Sequence, residues 1–179
     1  MPKNFAISDT WFNRFLTEDP NKNIVDNNDH IIQNWNNVVG KDDNVYVLGG
    51  FGISDMYHIL VRLNGNIYFL ANYFNDDEIE SMGMLKSAID KSSDITLKER
   101  IHFIFNQIVL LNDIDVVLSY FPLQDWPGKN TGTYCFHGLN GVMDIAKHNI
   151  TCTASQWDFN PICIEDVQKN IQSFSSKLY

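Results

Sequence analysis

Short apolar segments alternate with amphipathic stretches through the first half of the chain. Residues 4–8 form a brief apolar run before Asp9, which predicts a buried strand that places an acidic side chain at its C-terminal end. Residues 44–48 are rich in β-branched and aromatic side chains and lead directly into two glycines, so a strand followed by a tight turn is predicted. Asn66–Leu70 is a third candidate strand.

Two helices are predicted between these strands. Asp29 is a good helix-capping residue, and apolar side chains at helical spacing, including Trp35, follow it until Gly40. Ser54 is expected to cap a second helix over residues 55–63. Because strands and helices alternate, neighbouring strands are predicted to pair in parallel.

The second half of the chain has a different pattern. Ile108–Leu111 and residues 114–119 are two apolar runs separated by Asn and Asp, which predicts a β-hairpin. Residues 133–137 and 150–154 are further candidate strands. Ile164–Phe174 is predicted to be a terminal helix, since acidic residues occupy its first turn.

Composition favours one folded domain over residues 1–179, with 44% hydrophobic and 20% charged residues. The net charge of −9 opposes binding to nucleic acids and to anionic membranes, so neither is expected as a partner. The three cysteines lack a CxxC pair and are interpreted as buried thiols in a reducing compartment. The first residues do not resemble a signal peptide, so a cytoplasmic location is expected, in the host cell if the protein is viral.

Five segments, in order along the chain, resemble the motifs of the small calcineurin-like metallophosphoesterases of bacteria and phages. In that family the motifs are Asp-x-His, Gly-Asp, Gly-Asn-His-Asp, Ser-His-Tyr-Pro and Gly-His-x-His. The corresponding stretches here are SDTWF, LGGFG, LANYF, LSYFP and FHGLNG, and residues 33–36, 42–51 and 157–161 also match the family's context. The resemblance implies an α/β fold, a four-layer sandwich of two mixed β-sheets flanked by helices.

The family's chemistry uses two metal ions that share a bridging carboxylate. At the corresponding positions Asp9 and Asn72 remain ligand-type residues, but the other ligands are replaced. One carboxylate and one amide are too few for two divalent ions, so we expect no catalytic residues and no metal or other cofactor. The replacements are Trp11 for the first-motif His, Gly50 for the bridging Asp, Tyr73 for the His that protonates the leaving group, Tyr120 for the fourth-motif His, and residues 139–141, including Asn140, for the last His pair.

Individual residues at these positions allow alternative interpretations. His137 either joins a residual site or is a structural hydrogen-bonding residue, and the structural role is favoured. Asp9 is expected to accept backbone hydrogen bonds at its turn rather than to bind a metal. Trp11, Tyr73 and Tyr120 form either a packed plug or a stacking pocket, and the plug is favoured because aromatic side chains pack readily.

The leading hypothesis is therefore a catalytically inactive phosphoesterase homologue that serves as a protein-binding or assembly module. The family includes phage proteins, so the resemblance makes a viral origin one of the expectations. One alternative is a small phosphate or nucleotide ligand held in the remnant pocket, and another is residual metal-dependent phosphodiesterase activity. The remnant pocket comprises Asp9, Trp11, Gly50, Asn72, Tyr73, Tyr120, His137 and Asn140.

Overall fold

A computed structural model of the chain describes residues 1–13, 24–54, 56–70, 76–106, 108–139 and 148–174. Within these residues, nine strands form two sheets and five α-helices accompany them. The strands are β1 (Asn4–Ile7), β2 (Asn44–Val47), β3 (Asn66–Leu70), β4 (Ile101–Ile104), β5 (Ile108–Leu111), β6 (Val116–Ser119), β7 (Tyr134–His137), β8 (Asn149–Thr151) and β9 (Ile162–Cys163). The helices are α1 (Ile24–Val38), α2 (Tyr57–Leu60), α3 (Asp76–Lys91), α4 (Ile95–Arg100) and α5 (Ile164–Phe174).

Both sheets are mixed. The first has the strand order β4-β3-β2-β1-β9, and it is parallel except for β9. The second has the order β5-β6-β7-β8, with β5 antiparallel to β6 and the remaining pairs parallel. The predicted fold class, an α/β sandwich with two mixed sheets and flanking helices, is confirmed. The predicted parallel pairing of β2 with β3 is also confirmed.

Alternating side chains of the first sheet divide the core into two layers. Phe5 and Ile7 of β1 point toward the helices and join a cluster that includes the fully buried Trp35 of α1. The indole N–H of Trp35 donates to the carbonyl oxygen of Asn64 at 3.0 Å. Ala6 points the opposite way, into a second cluster between the sheets with Phe136 of β7. This period of two is expected of strands covered on both faces.

The boundaries of the first two helices differ from the prediction. The first helix, α1, begins at Ile24, so Asp29 lies inside it and forms an ion pair with Arg62 at 2.6 Å instead of capping the helix. The second helix is present but shorter than the predicted range of residues 55–63, because α2 covers Tyr57–Leu60. Ser54 does not cap it: its φ is 64°, and its N–H donates to the hydroxyl of Ser81 at 2.9 Å.

Four elements were not predicted: α3, α4, β4 and β9. The apolar spacing of a helix is present in α3, where Met82, Leu85 and Ile89 are buried on one face. The short β9 pairs with only two residues of β1, so its own sequence carries little signal. The remaining predicted elements are confirmed, except that β6 begins at Val116 and β8 ends at Thr151.

The cysteines behave largely as expected from the sequence. Cys135 and Cys152 are buried, Cys163 is half-buried, and all three are free thiols. Burial raises the pKa of the Cys135 thiol to about 12, so this thiol stays protonated. Across the described residues we find no helix that combines the length and the apolarity needed to cross a bilayer.

Candidate functional site

The loop that follows β1 is hydrogen-bonded to the loop that follows β2. The N–H of Asp9 donates to the carbonyl oxygen of Gly49 at 2.9 Å. The N–H of Trp11 donates to the carbonyl oxygen of Gly50 at 2.9 Å. Asp9, Trp11 and Gly50 have φ values of 55°, 51° and 58°. A positive φ is unusual for a bulky residue such as tryptophan, so the paired loops impose this backbone conformation.

The ends of the second sheet meet the same loops. The hydroxyl of Ser8 donates to the carbonyl oxygen of Gly138, which follows β7, at 2.6 Å. The N–H of Gly138 donates in turn to the carbonyl oxygen of Tyr120, which follows β6, at 3.0 Å. The C-terminal ends of four strands, two from each sheet, therefore converge. Ligand sites in α/β proteins commonly lie at such ends.

The ring of Tyr120 lies between two glycines. A Cβ atom at Gly49 would lie 2.4 Å from Cδ2 of Tyr120, and a Cβ at Gly138 would lie 2.9 Å from the same atom. Neither position accepts a larger residue without moving the ring. This close contact favours packing over an open stacking pocket at Tyr120.

The carboxyl group of Asp9 occupies the space beside Gly50. A Cβ atom at Gly50 would lie 2.1 Å from Oδ1 of Asp9. This Oδ1 is buried and has no hydrogen-bond partner among the described residues, so the expected backbone hydrogen bond is absent at this oxygen. Burial raises the pKa of Asp9 to about 6, because the charged form loses its hydration.

Asp9→Asn is expected to stabilise the protein at neutral pH. The folded-state pKa of about 6 exceeds the unfolded value of about 3.9. Between these values the folded state retains a proton that the unfolded state has lost, so stability falls as the pH rises and then stays constant above 6. Asparagine removes the charge and tolerates a positive φ. At pH 7.5 the free energy of unfolding should rise by about 1–2 kcal/mol, a value reduced for solvent screening.

Urea denaturation of both proteins from pH 3 to 8 checks this expectation. The difference between them should shrink as the pH falls toward 3, where Asp9 is largely protonated in both states. A loss of stability in Asp9→Asn at pH 7.5 would contradict it, and would indicate that the carboxylate binds a cation or donor.

His137 lies on the outer face of the second sheet. Its neighbour Phe136 points into the core between the sheets, and His137 is aligned with Ser119 and Thr151 on the opposite face. The side chain is buried, its Nδ1 has no hydrogen-bond partner among the described residues, and burial lowers its pKa to about 4. The structure thus directs His137 away from the face toward β1, which disfavours a residual site shared with Asp9.

Three predicted pocket residues, Asn72, Tyr73 and Asn140, lie outside the described residues. The strand β3 ends at Leu70, two residues before Asn72 in the sequence. Among the residues that the structure does describe, no group of three or more His, Cys, Asp and Glu side chains is arranged to hold a metal ion.

The fold is similar to that of a solved bacterial protein. The chain superimposes on the protein of unknown function AQ665 from Aquifex aeolicus with a TM-score of 0.52 and 17% sequence identity, over 94% of this chain and 99% of that one. No protein-family model matches the sequence, and no curated protein matches it. The similarity supports the two-sheet α/β sandwich as the fold class.

Proposed function

We propose that the chain is a catalytically inactive homologue of the calcineurin-like metallophosphoesterases that serves as a protein-binding or assembly module. The observation that carries the proposal is the filled space at the two glycines after β2. The resemblance assigns position 50 to the carboxylate that bridges two metal ions. Here Gly50 faces the carboxyl group of Asp9, and Gly49 faces the ring of Tyr120.

The side chains at the replaced positions are poor substitutes for imidazole. An indole N–H, as in Trp11, is a donor only and offers no lone pair to a metal. A tyrosine phenol is protonated near neutral pH, since its usual pKa is about 10. A dinuclear site needs several anionic or imidazole ligands to compensate for lost hydration. These residue types favour a scaffold without phosphoesterase chemistry.

A phosphate or nucleotide ligand fits the remnant pocket less well. Phosphate sites use cationic side chains or backbone N–H groups that point into open space. In this pocket the N–H groups of Asp9 and Trp11 already donate to carbonyl oxygens. Above pH 6 the carboxylate of Asp9 adds a negative charge that repels a phosphate. Protein binding remains the better proposal, because it needs only the surface of an intact fold.

Hydrolysis of a bis-aryl phosphodiester in Mn²⁺, by protein purified without chelator, tests the loss of catalysis. We expect no turnover above the Mn²⁺ blank and no rise in melting temperature with Mn²⁺ or with nucleotides. Turnover that Asp9→Asn abolishes would contradict the proposal. A melting temperature that rises with nucleotide concentration would favour the ligand-binding alternative, since a ligand that binds only the folded state stabilises it by mass action.

A further inference from the structure

The strand β5 is an exposed edge of the second sheet. In the part of the chain that the structure describes, its strand neighbour is β6, on one side only. Ile108 and Leu110 are 42% and 47% exposed, and their partners in register are Ser119 and Val117. Both side chains therefore lie on the outer face of this sheet, where Val117 packs away from the core between the sheets.

Two exposed phenylalanines lie at one end of this hairpin. Phe105 precedes β5 and is 66% exposed, and Phe121 follows β6 and is also exposed. Because β5 and β6 are antiparallel, both residues belong to the same end of the hairpin. The ring of Phe121 lies 5.0 Å from that of Tyr120, so the surface reaches the remnant pocket. We call Phe105, Ile108, Leu110 and Phe121 the edge strip.

The four residues of β5 include neither the lysine nor the proline that often protects an edge strand. Soluble proteins place lysine, proline or a bulge on such edges to prevent pairing with other chains. Residues 108–111 are IVLL, with no charge and no proline. Among the described residues no further strand pairs with the outer edge of β5, and exposed apolar side chains accompany that edge, which is what an added β-strand requires.

The turn that joins β5 to β6 is acidic. Asp113 and Asp115 are exposed in this turn, and Asp125 is exposed in the loop that follows β6. The nearby Lys129 donates to the carbonyl oxygen of Gln124 and lies 5.1 Å from the ring centre of Trp126. Since the whole chain has a net charge of −9, a second copy would bring like charge to this edge. A basic partner is complementary to it.

We propose that β5 binds an extended, basic segment of a partner protein as an additional strand, with alternate apolar side chains of that segment on the edge strip. Backbone hydrogen bonds supply the pairing, and the aspartates of the β5–β6 turn, with the negative charge of the whole chain, favour lysine or arginine beside the segment. The inference rests on the proposed protein-binding function and specifies its surface and the chemistry of its partner.

The test uses a short fluorescent peptide that alternates valine and threonine between pairs of lysines. Fluorescence anisotropy should show saturable binding to the full chain, and the peptide should slow amide hydrogen exchange in β5. A version with glutamates in place of the lysines should bind about tenfold more weakly or less, because its charges repel the aspartates. A version with a central proline, which removes a strand donor, should not bind.

Two variants at residues of similar exposure provide the control. Leu110→Lys places a charge on the edge and should abolish peptide binding. Met84→Lys changes a residue of α3 that is 50% exposed and should leave binding unchanged. Circular dichroism should show both variants folded like the parent chain.

Three results would overturn the inference: no saturable binding, equal binding of the lysine and glutamate peptides, or a chain that dimerises through β5 and becomes monomeric in Leu110→Lys. Failure of the proposed function would be seen instead as metal-dependent phosphodiester turnover, which does not involve β5.

Discussion

Gly50→Ala is expected to lower the free energy of unfolding by about 2–5 kcal/mol. An L-residue in the left-handed region costs about 1–2 kcal/mol, and overpacking costs a further ~1–3 kcal/mol. The new Cβ would lie 2.1 Å from Oδ1 and 2.7 Å from Cα of Asp9. The side chain of Asp9 can rotate away, but its backbone is held by the hydrogen bond to Gly49. Urea denaturation measures the loss.

Gly83→Ala is the matched control for this substitution. Gly83 lies within α3, and nothing is within 4 Å of a Cβ placed there. Alanine is about 0.5–1 kcal/mol more favourable than glycine inside a helix, so this variant should be slightly more stable than the parent chain. A Gly50→Ala protein as stable as the parent would show that Asp9 does not occupy this space.

Gly49→Ala is expected to cost about 1–3 kcal/mol for a different reason. The backbone at Gly49 does not have a positive φ, so alanine is conformationally acceptable there. The cost comes from the ring of Tyr120, which lies 2.4 Å from the new Cβ. Removing the ring should therefore remove most of the penalty.

A double-mutant cycle with Tyr120→Ala isolates this contact. We expect Gly49→Ala to have little effect in the Tyr120→Ala background, which corresponds to a coupling energy of about 1–3 kcal/mol. Additive effects would show that the ring does not fill the space above Gly49. The contact between Tyr120 and Gly49 could then no longer support a filled pocket.

The sequence predicts the fold where apolar periodicity and turn residues agree. The strands β1, β2, β3 and β7 and the helix α5 follow from such patterns. Asp29, a typical capping residue, lies inside α1, where it pairs with Arg62 across the structure. A tertiary contact of this kind has no local signal.

The candidate site was only partly predictable. The order of motifs indicated which strand ends converge, and the structure does bring Asp9, Gly50 and Tyr120 together. The role of Gly138 was missed, because a glycine after a strand does not reveal that an aromatic ring will pack against it. The outward direction of His137 follows from strand register, which the sequence alone does not fix.

Metal content tests the central claim most directly. Protein purified without chelator should be analysed by plasma mass spectrometry, with protein concentration determined on the same sample. If the space at Gly49 and Gly50 is filled as described, manganese, iron and zinc should each be far below one ion per chain. One or two ions per chain, lost together with stability in Asp9→Asn, would contradict the claim and would show that a metal centre persists in this fold.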